Sequence, residues 1–234
     1  MDYNPIAKLY DNYEKNATTL WALGYPYVMN HLVPVTNKQI LDYGCGSGTF
    51  SRFLRDQGAK ITGVDVSETM IEVAMLNDTE NISYRSITSA DIGFLKDDSF
   101  DFVVSNFVLC TIPKLDEIRN IIKEIHRVLK KNGTFIIMNS NWERSNGREF
   151  ISYKLEFCNN LFPGQRIDAK LKTDPPIIFE DYFWSREDYI NSMKDCGLTL
   201  QVIEEPVAHN SEVPWIDEMT HPPFIIFVAG KTSK

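Results

Sequence analysis

Asp42-Tyr43-Gly44-Cys45-Gly46-Ser47-Gly48 combines a carboxylate with glycines at every second position, directly after the apolar pair Ile40-Leu41 and before Thr49-Phe50. That order reads as a strand end, a tight turn and a helix start. Glycine lets such a turn adopt positive φ and lets a ligand approach with no Cβ in the way. The helix behind it aims free N–H groups at the ligand. A dinucleotide-binding turn has the spacing Gly-x-Gly-x-x-Gly. Position 49 is Thr, so the pattern here is acid-x-Gly-x-Gly-x-Gly. A second carboxylate, Asp65, closes the next apolar run, Ile61-Thr62-Gly63-Val64. A carboxylate at a strand end suits a ribose, because it accepts from two vicinal hydroxyls. Asp91 in Ser89-Ala90-Asp91-Ile92 is a candidate acceptor for an adenine amine, with Ile92 against the ring.

The elements that must position these groups alternate. Strands are expected at Gln39–Tyr43, Lys60–Val64, Asn81–Ser86, Asp101–Ser105 and Thr134–Asn139. Helices are expected at Ser47–Gln57, at Ser67–Leu76 with Ser67 as N-cap, and at Leu115–Lys130, stopped by Asn132-Gly133. In the last of these, Leu115, Ile118, Ile121, Ile122, Ile125, Val128 and Leu129 recur at three-and-four spacing. Alternation of this kind argues for a parallel sheet with helices on both faces. A helix at Ser185–Cys196, capped by Ser185 and ended by Gly197, and strands at Leu198–Glu204 and Phe224–Ala229 close the chain, the last strand antiparallel. Two aromatic-rich helices are expected over residues 5–33, and one more near 147–158 before a Pro-rich segment and the apolar, aromatic run Ile177–Trp184. The organisation expected is an N-terminal helical lid at 1–34 and one ligand-binding domain at 35–234, with a lid-like insertion at 141–183. Long ordered loops of that kind are usually functional.

The chain of 234 residues suits one domain, and 43% hydrophobic and 24% charged residues can build a sizeable core. A net charge of −8 argues against nucleic acid or an anionic membrane as the main partner, since both demand a basic face. Met1-Asp2-Tyr3-Asn4-Pro5 has no basic region leading into an apolar run, and no apolar run approaches membrane length. Cys45, Cys110, Cys158 and Cys196 form no C-x-x-C pair, which fits reduced thiols in a cytoplasmic protein and no metal site. A monomer or a homodimer is expected.

Taken together, the Gly turn, Gly63-Val64-Asp65-Val66-Ser67, Ala90-Asp91-Ile92, Ser99-Phe100-Asp101-Phe102-Val103-Val104-Ser105 and Ile125-His126-Arg127-Val128-Leu129-Lys130-Lys131-Asn132-Gly133-Thr134-Phe135 resemble the successive motifs of class I S-adenosylmethionine-dependent methyltransferases. The resemblance covers residues 35–140 well and 185–232 loosely. It implies a Rossmann-like α/β/α sandwich with a seven-stranded, mostly parallel sheet whose last strand is antiparallel, and S-adenosyl-L-methionine as cofactor. It also implies site roles. Asp42, Gly44 and Gly46 would cradle the methionine end. Asp65 would hold the ribose, with Val66 and Met70 against the adenine. Asp91 and Ile92 would finish the adenine pocket, and Ser105 would line the methionine end. Tyr43 departs from the family, where a small aliphatic is usual.

Ligands of such sheets bind at the carboxyl ends of the strands. That rule selects acceptor-side candidates: Trp142 after the fifth strand, His209 after the sixth, and His221 before the last. Tyr10, Tyr13 and Trp21 would cover the site from the N-terminal helices. Methyl transfer from a sulfonium is an in-line displacement from an already activated leaving group, so the protein mainly aligns the nucleophile and excludes water. The expected activity is N- or O-methylation of a small aromatic or heterocyclic metabolite, with no nucleic-acid partner and no stable membrane association. C-methylation of a quinone or lipid precursor and a non-catalytic cofactor-binding role are the alternatives. A dehydrogenase is disfavoured by Thr49.

Overall fold

The computed structural model describes residues 6–78, 82–209 and 212–232. In chain order the strands are β1 (Gln39–Tyr43), β2 (Lys60–Asp65), β3 (Ser83–Ser86), β4 (Phe100–Asn106), β5 (Leu129–Ser140), β6 (Tyr153–Leu155), β7 (Gln165–Leu171), β8 (Ile177–Phe183), β9 (Leu198–Glu204) and β10 (Phe224–Lys231). The helices are α1 (Ala7–Asn16), a π-turn at Leu20–Gly24 running into α2 (Tyr25–Asn30), α3 (Thr49–Asp56), α4 (Glu68–Asn77), α5 (Leu115–Val128), α6 (Trp142–Ser145) and α7 (Arg186–Asp195).

One seven-stranded sheet has the order β3-β2-β1-β4-β5-β10-β9. Its first five strands are parallel, and β10 runs antiparallel between β5 and β9. The strand order reverses between β1 and β4, whose carboxyl ends therefore open a crevice.

Strand periodicity separates the two faces of the sheet. Leu41, Tyr43, Val103, Phe135 and Ile137 point to one side, where Ile118, Ile121, Ile122 and Ile125 of α5 and Tyr189 and Met193 of α7 cover them. Ile40, Val104, Ile136 and Met138 point to the other, against Phe50 and Leu54 of α3 and Leu20, Tyr25, Val28 and Leu32 of the N-terminal segment. Two caps fix helix starts as the sequence implies. The Ser67 hydroxyl accepts from the Met70 N–H, and Ser185 and Asp188 form a reciprocal capping box.

Two expected elements take other forms. Residues 147–158 are not a helix. They turn tightly, with the Phe150 N–H donating to the Tyr153 carbonyl, and then form β6. Lys154 and Glu156 form an ion pair two residues apart, an arrangement of one strand face, while Tyr153 and Leu155 are buried on the other. Strand pairing with β7 overrides the helix-forming character of Lys, Leu and Glu here. The long helix α5 ends at Val128, two residues early, and Asn132-Gly133 falls within β5, with Asn132 at φ 63°.

Strands β6, β7 and β8 form a separate three-stranded antiparallel sheet. Its inner face, including Tyr153, Leu155, Ile167, Ala169, Ile177 and Phe179, joins the same apolar cluster as the N-terminal helices and the α3 side of the main sheet. No helix among the described residues is long and apolar enough to cross a membrane.

Candidate active site

The Gly turn is anchored on the neighbouring strand: the N–H groups of Gly44 and Cys45 both donate to the Val64 carbonyl, at 2.7 and 2.9 Å. Gly44, Gly46 and Gly48 have φ of 79°, 53° and 78°, the left-handed region that disfavours a side chain. A Cβ on Gly44 would stand 2.1 Å from Val108 Cγ2, so the turn also needs glycine for close approach of the β4 exit loop.

Asp65 ends β2 facing this turn. One of its carboxylate oxygens accepts from the Gly46 N–H at 2.9 Å and the other from the Ser67 N–H at 2.8 Å. Burial pushes its carboxyl above the ordinary range, and backbone donors at Ser67, Gly46 and Val66 pull it back. Together Gly44, Gly46, Asp65, Val66, Met70, Tyr43, Ile87, Ser89 and Asn106 bound a cleft of about 190 Å³. Tyr43 has a definite task there, since its hydroxyl donates to the Ser89 carbonyl at 2.8 Å and ties β1 to the loop after β3.

Asp42 lies behind the turn, 2% exposed, and accepts from the Ser51 hydroxyl of α3 at 2.6 Å. Burial, opposed by the Ser51 bond and helped by the charges of Glu14 and Asp65, raises its carboxyl to about 7. Glu14 reaches the same place from α1, accepting from the Tyr25 hydroxyl at 2.9 Å and the Ser47 hydroxyl at 3.3 Å. Both carboxylates line a small recess between the turn and Asn106.

A second cavity, of about 70 Å³, adjoins the cleft and shares Tyr10, Phe107 and Thr111 with it. Its other walls include Tyr13 and Leu20 from the N-terminal segment, Phe224 from β10, and Tyr153, Ala169, Phe179 and Asp181 from the small sheet. Phe107 stands between the two spaces at φ 57°, an unusual backbone state for a bulky residue and one that clusters at functional sites.

The sequence candidates divide accordingly. Gly44, Gly46, Asp65, Val66 and Met70 line the cleft, Tyr10 lines both spaces, and Tyr13 lines the second. Asp91 is exposed and borders an open depression with Arg85 and Phe94, while Ile92 is fully buried in the α5 core; neither bounds the cleft. Ser105 is buried, and its neighbour Asn106 faces the cleft instead. Trp142 is 4% exposed and does not line the second cavity; its indole N–H donates to Asp181 at 3.2 Å. Trp21 packs edge-on against Tyr25 and Phe53. His209 and His221 border neither space, and His221 Nδ1 pairs with the Thr220 hydroxyl. Among the described residues no cluster of three or more His, Cys, Asp or Glu could hold a metal.

Residues 41–137 match the family model described as a methyltransferase domain. The chain carries a methyltransferase domain over those residues. It is 27% identical to the N-demethylindolmycin N-methyltransferase of Streptomyces griseus, over 92% of this chain and 93% of that protein. It is 29% identical to the ubiquinone biosynthesis O-methyltransferase of Pseudomonas syringae pv. tomato, over 70% and 69%. An S-adenosylmethionine-dependent methyltransferase from Mesorhizobium loti shares the fold, with a TM-score of 0.66 at 20% identity over 88% of this chain and 96% of the other. The residues present suit S-adenosylmethionine as the cofactor of this methyltransferase. Glycines at positive φ leave the cleft wall bare, a carboxylate stands at the end of β2, and the buried amide oxygen of Asn106 meets no protein partner.

Sequence reasoning missed Asn106, Phe107, Glu14 and Asp181. Asp181 had a signal. In Ile177-Ile178-Phe179-Glu180-Asp181-Tyr182-Phe183 the residues at 177, 179 and 183 are the buried set, so strand alternation puts Asp181 on the inward face. Phe107 and Glu14 had none, because their places depend on contacts between distant segments.

Proposed function

We propose that this methyltransferase acts on nitrogen or oxygen of a small aromatic metabolite seated in the cavity beside the cofactor cleft. The observation that carries the reading is the wall shared by the two spaces: Tyr10, Phe107 and Thr111 bound both. A molecule in one is thereby brought against a molecule in the other, which is the arrangement that converts a bimolecular reaction into an effectively unimolecular one. When bound, the cofactor supplies an electrophilic methyl group on a cationic sulfur. Asp65 holds the ribose hydroxyls, Gly44 and Gly46 admit the methionine portion, and Asp42 and Glu14 offer carboxylates to its ammonium group. Val66 and Met70 flank the base, with Ile87 and Ser89 closing the pocket in place of Asp91 and Ile92. Tyr10 and Tyr13 cover the reacting centre and exclude water.

The nitrogen and oxygen acceptors in the printed names of the two curated relatives support the chemical class without choosing between the atoms. The test is incubation of the purified protein with S-adenosylmethionine and panels of small aromatic amines and phenols, with methylated products read by mass spectrometry. Transfer to members of those panels is expected. Methylation of tRNA or protein with no small molecule modified overturns the reading.

A further inference from the structure

Resting on that reading, we infer that Asp181 is the acceptor-recognition group and that the acceptor is an arylalkylamine, methylated on nitrogen. The second cavity is walled by six aromatic rings: Tyr10, Tyr13, Phe107, Tyr153, Phe179 and Phe224. Asp181 is the one acid among its described lining residues, and no Lys, Arg or His stands among them. Its carboxylate is 4% exposed and held by the indole N–H of Trp142 at 3.2 Å. A carboxylate placed in an apolar cavity without a cationic neighbour is costly, and a positively charged or N–H-bearing guest removes that cost. The aromatic faces favour the same guest, because their negative faces attract ammonium groups. An acidic guest or a phenolate is repelled by the same wall.

The chemistry agrees. A guest held as the ammonium first gives one proton to water; the lone pair of the neutral amine then forms the N–C bond while the C–S pair returns to sulfur, leaving a thioether. Positive charge thus moves from sulfur onto nitrogen during the step. A carboxylate beside the nitrogen stabilises the charge where it develops, which is how fixed charges contribute most to catalysis. The product leaves as the methylated ammonium, and every bond and charge is accounted for. Burial raises the Asp181 carboxyl to about 6, with donors at Trp142, Ser140 and Cys110 opposing, so it is mostly ionised at neutral pH and stands as counter-charge to the ammonium.

The test measures binding, in the presence of S-adenosylhomocysteine, of 2-phenylethylamine and tryptamine and of the matching alcohols 2-phenylethanol and tryptophol. The wild type is expected to bind the amines at least tenfold more tightly than the alcohols. Asp181→Asn keeps the shape and the Trp142 hydrogen bond, and is expected to reduce that ratio to about one with unchanged affinity for S-adenosylhomocysteine. Equal binding of amines and alcohols by the wild type, binding of neither, or an amine preference that survives in Asp181→Asn overturns the inference. The first two outcomes are read on the wild type alone, so they hold even where the variant fails to fold. Failure of S-adenosylhomocysteine itself to bind is a separate result that sinks the cofactor reading beneath it.

Discussion

The cofactor cleft draws its polar contacts from a short stretch of chain. Gly44, Cys45 and Gly46 donate backbone N–H groups to Val64 and Asp65, and Ser67 donates back to Asp65. The cavity beside it draws on Tyr10 and Tyr13 near the start, Tyr153, Phe179 and Asp181 in the insertion, and Phe224 near the end. The first space is a property of two adjacent strand-turn units; the second exists only when distant segments close on each other. One should therefore be sensitive to backbone geometry at single positions, and the other to side-chain volume and charge.

The largest expected break is on the backbone side. Gly44→Ala places a Cβ where Val108 already stands and forces an L-residue to φ 79°. The left-handed conformation alone costs about 1–2 kcal/mol, and the displaced Val108 loop narrows the cleft. Affinity for S-adenosylhomocysteine should fall by about a hundredfold, roughly 3 kcal/mol. Calorimetry returning wild-type affinity would show that the turn does not face the ligand.

Asp65→Ala should be the next largest. Loss of charge-assisted hydrogen bonds costs roughly 1.5–3 kcal/mol. The loss should appear in cofactor affinity and leave the rank order of acceptors unchanged. An altered acceptor preference with intact cofactor binding would reverse the roles assigned to the two spaces.

Phe107→Ala probes the wall between them. The ring contacts Phe224 edge-on at 5.5 Å, and its backbone carries the left-handed φ that alanine tolerates no better. The variant should therefore act through the missing ring. Affinity for S-adenosylhomocysteine should change by less than about threefold, while kcat/KM for an acceptor falls roughly tenfold or more, at least about 1.4 kcal/mol of transition-state stabilisation. Equal losses in both would mean that the ring serves the cleft rather than the partition.

This division also explains what could be read from the chain alone. The β1 boundaries, the Ser67 and Ser185 caps, and the Gly turn were legible because each is decided by a few neighbouring residues. The apolar spacing of α5 likewise identified its core face. The second cavity was legible only in outline. Tyr10 and Tyr13 were picked out by the aromatic content of the N-terminal segment, but Trp142, chosen for its place after the fifth strand, instead supports Asp181 from behind. The segment at 147–158 has ordinary helix formers, and only pairing with β7 makes it a strand. His209 and His221 were chosen for their titratable rings at the correct end of the sheet. The proximity of the insertion gives that end an acid instead.

The smallest expected effect compares the two halves through pH. Asp42 and Asp181 are buried carboxylates raised from 3.8 to about 7 and about 6. A group whose folded-state pKa is raised holds its proton in the native state after the unfolded chain has released it. Its contribution to stability is fully present below the unfolded value and is lost as pH rises through the folded one. The protein without ligand should therefore lose stability as pH rises from about 4 to about 7. Glu14 and Asp65, also raised by burial, add to the same slope, while Asp98 and Glu149, whose carboxyls are lowered by Lys231 and Lys172, act below that window. Asp42→Asn should flatten the slope across the whole window up to about pH 7, and Asp181→Asn only the part below about pH 6. Urea midpoints measured across this range would resolve the two. A slope of opposite sign would mean that neither carboxylate is buried without compensation, and identical flattening by both variants would mean that they titrate as one coupled unit across the wall that separates the cleft from the cavity.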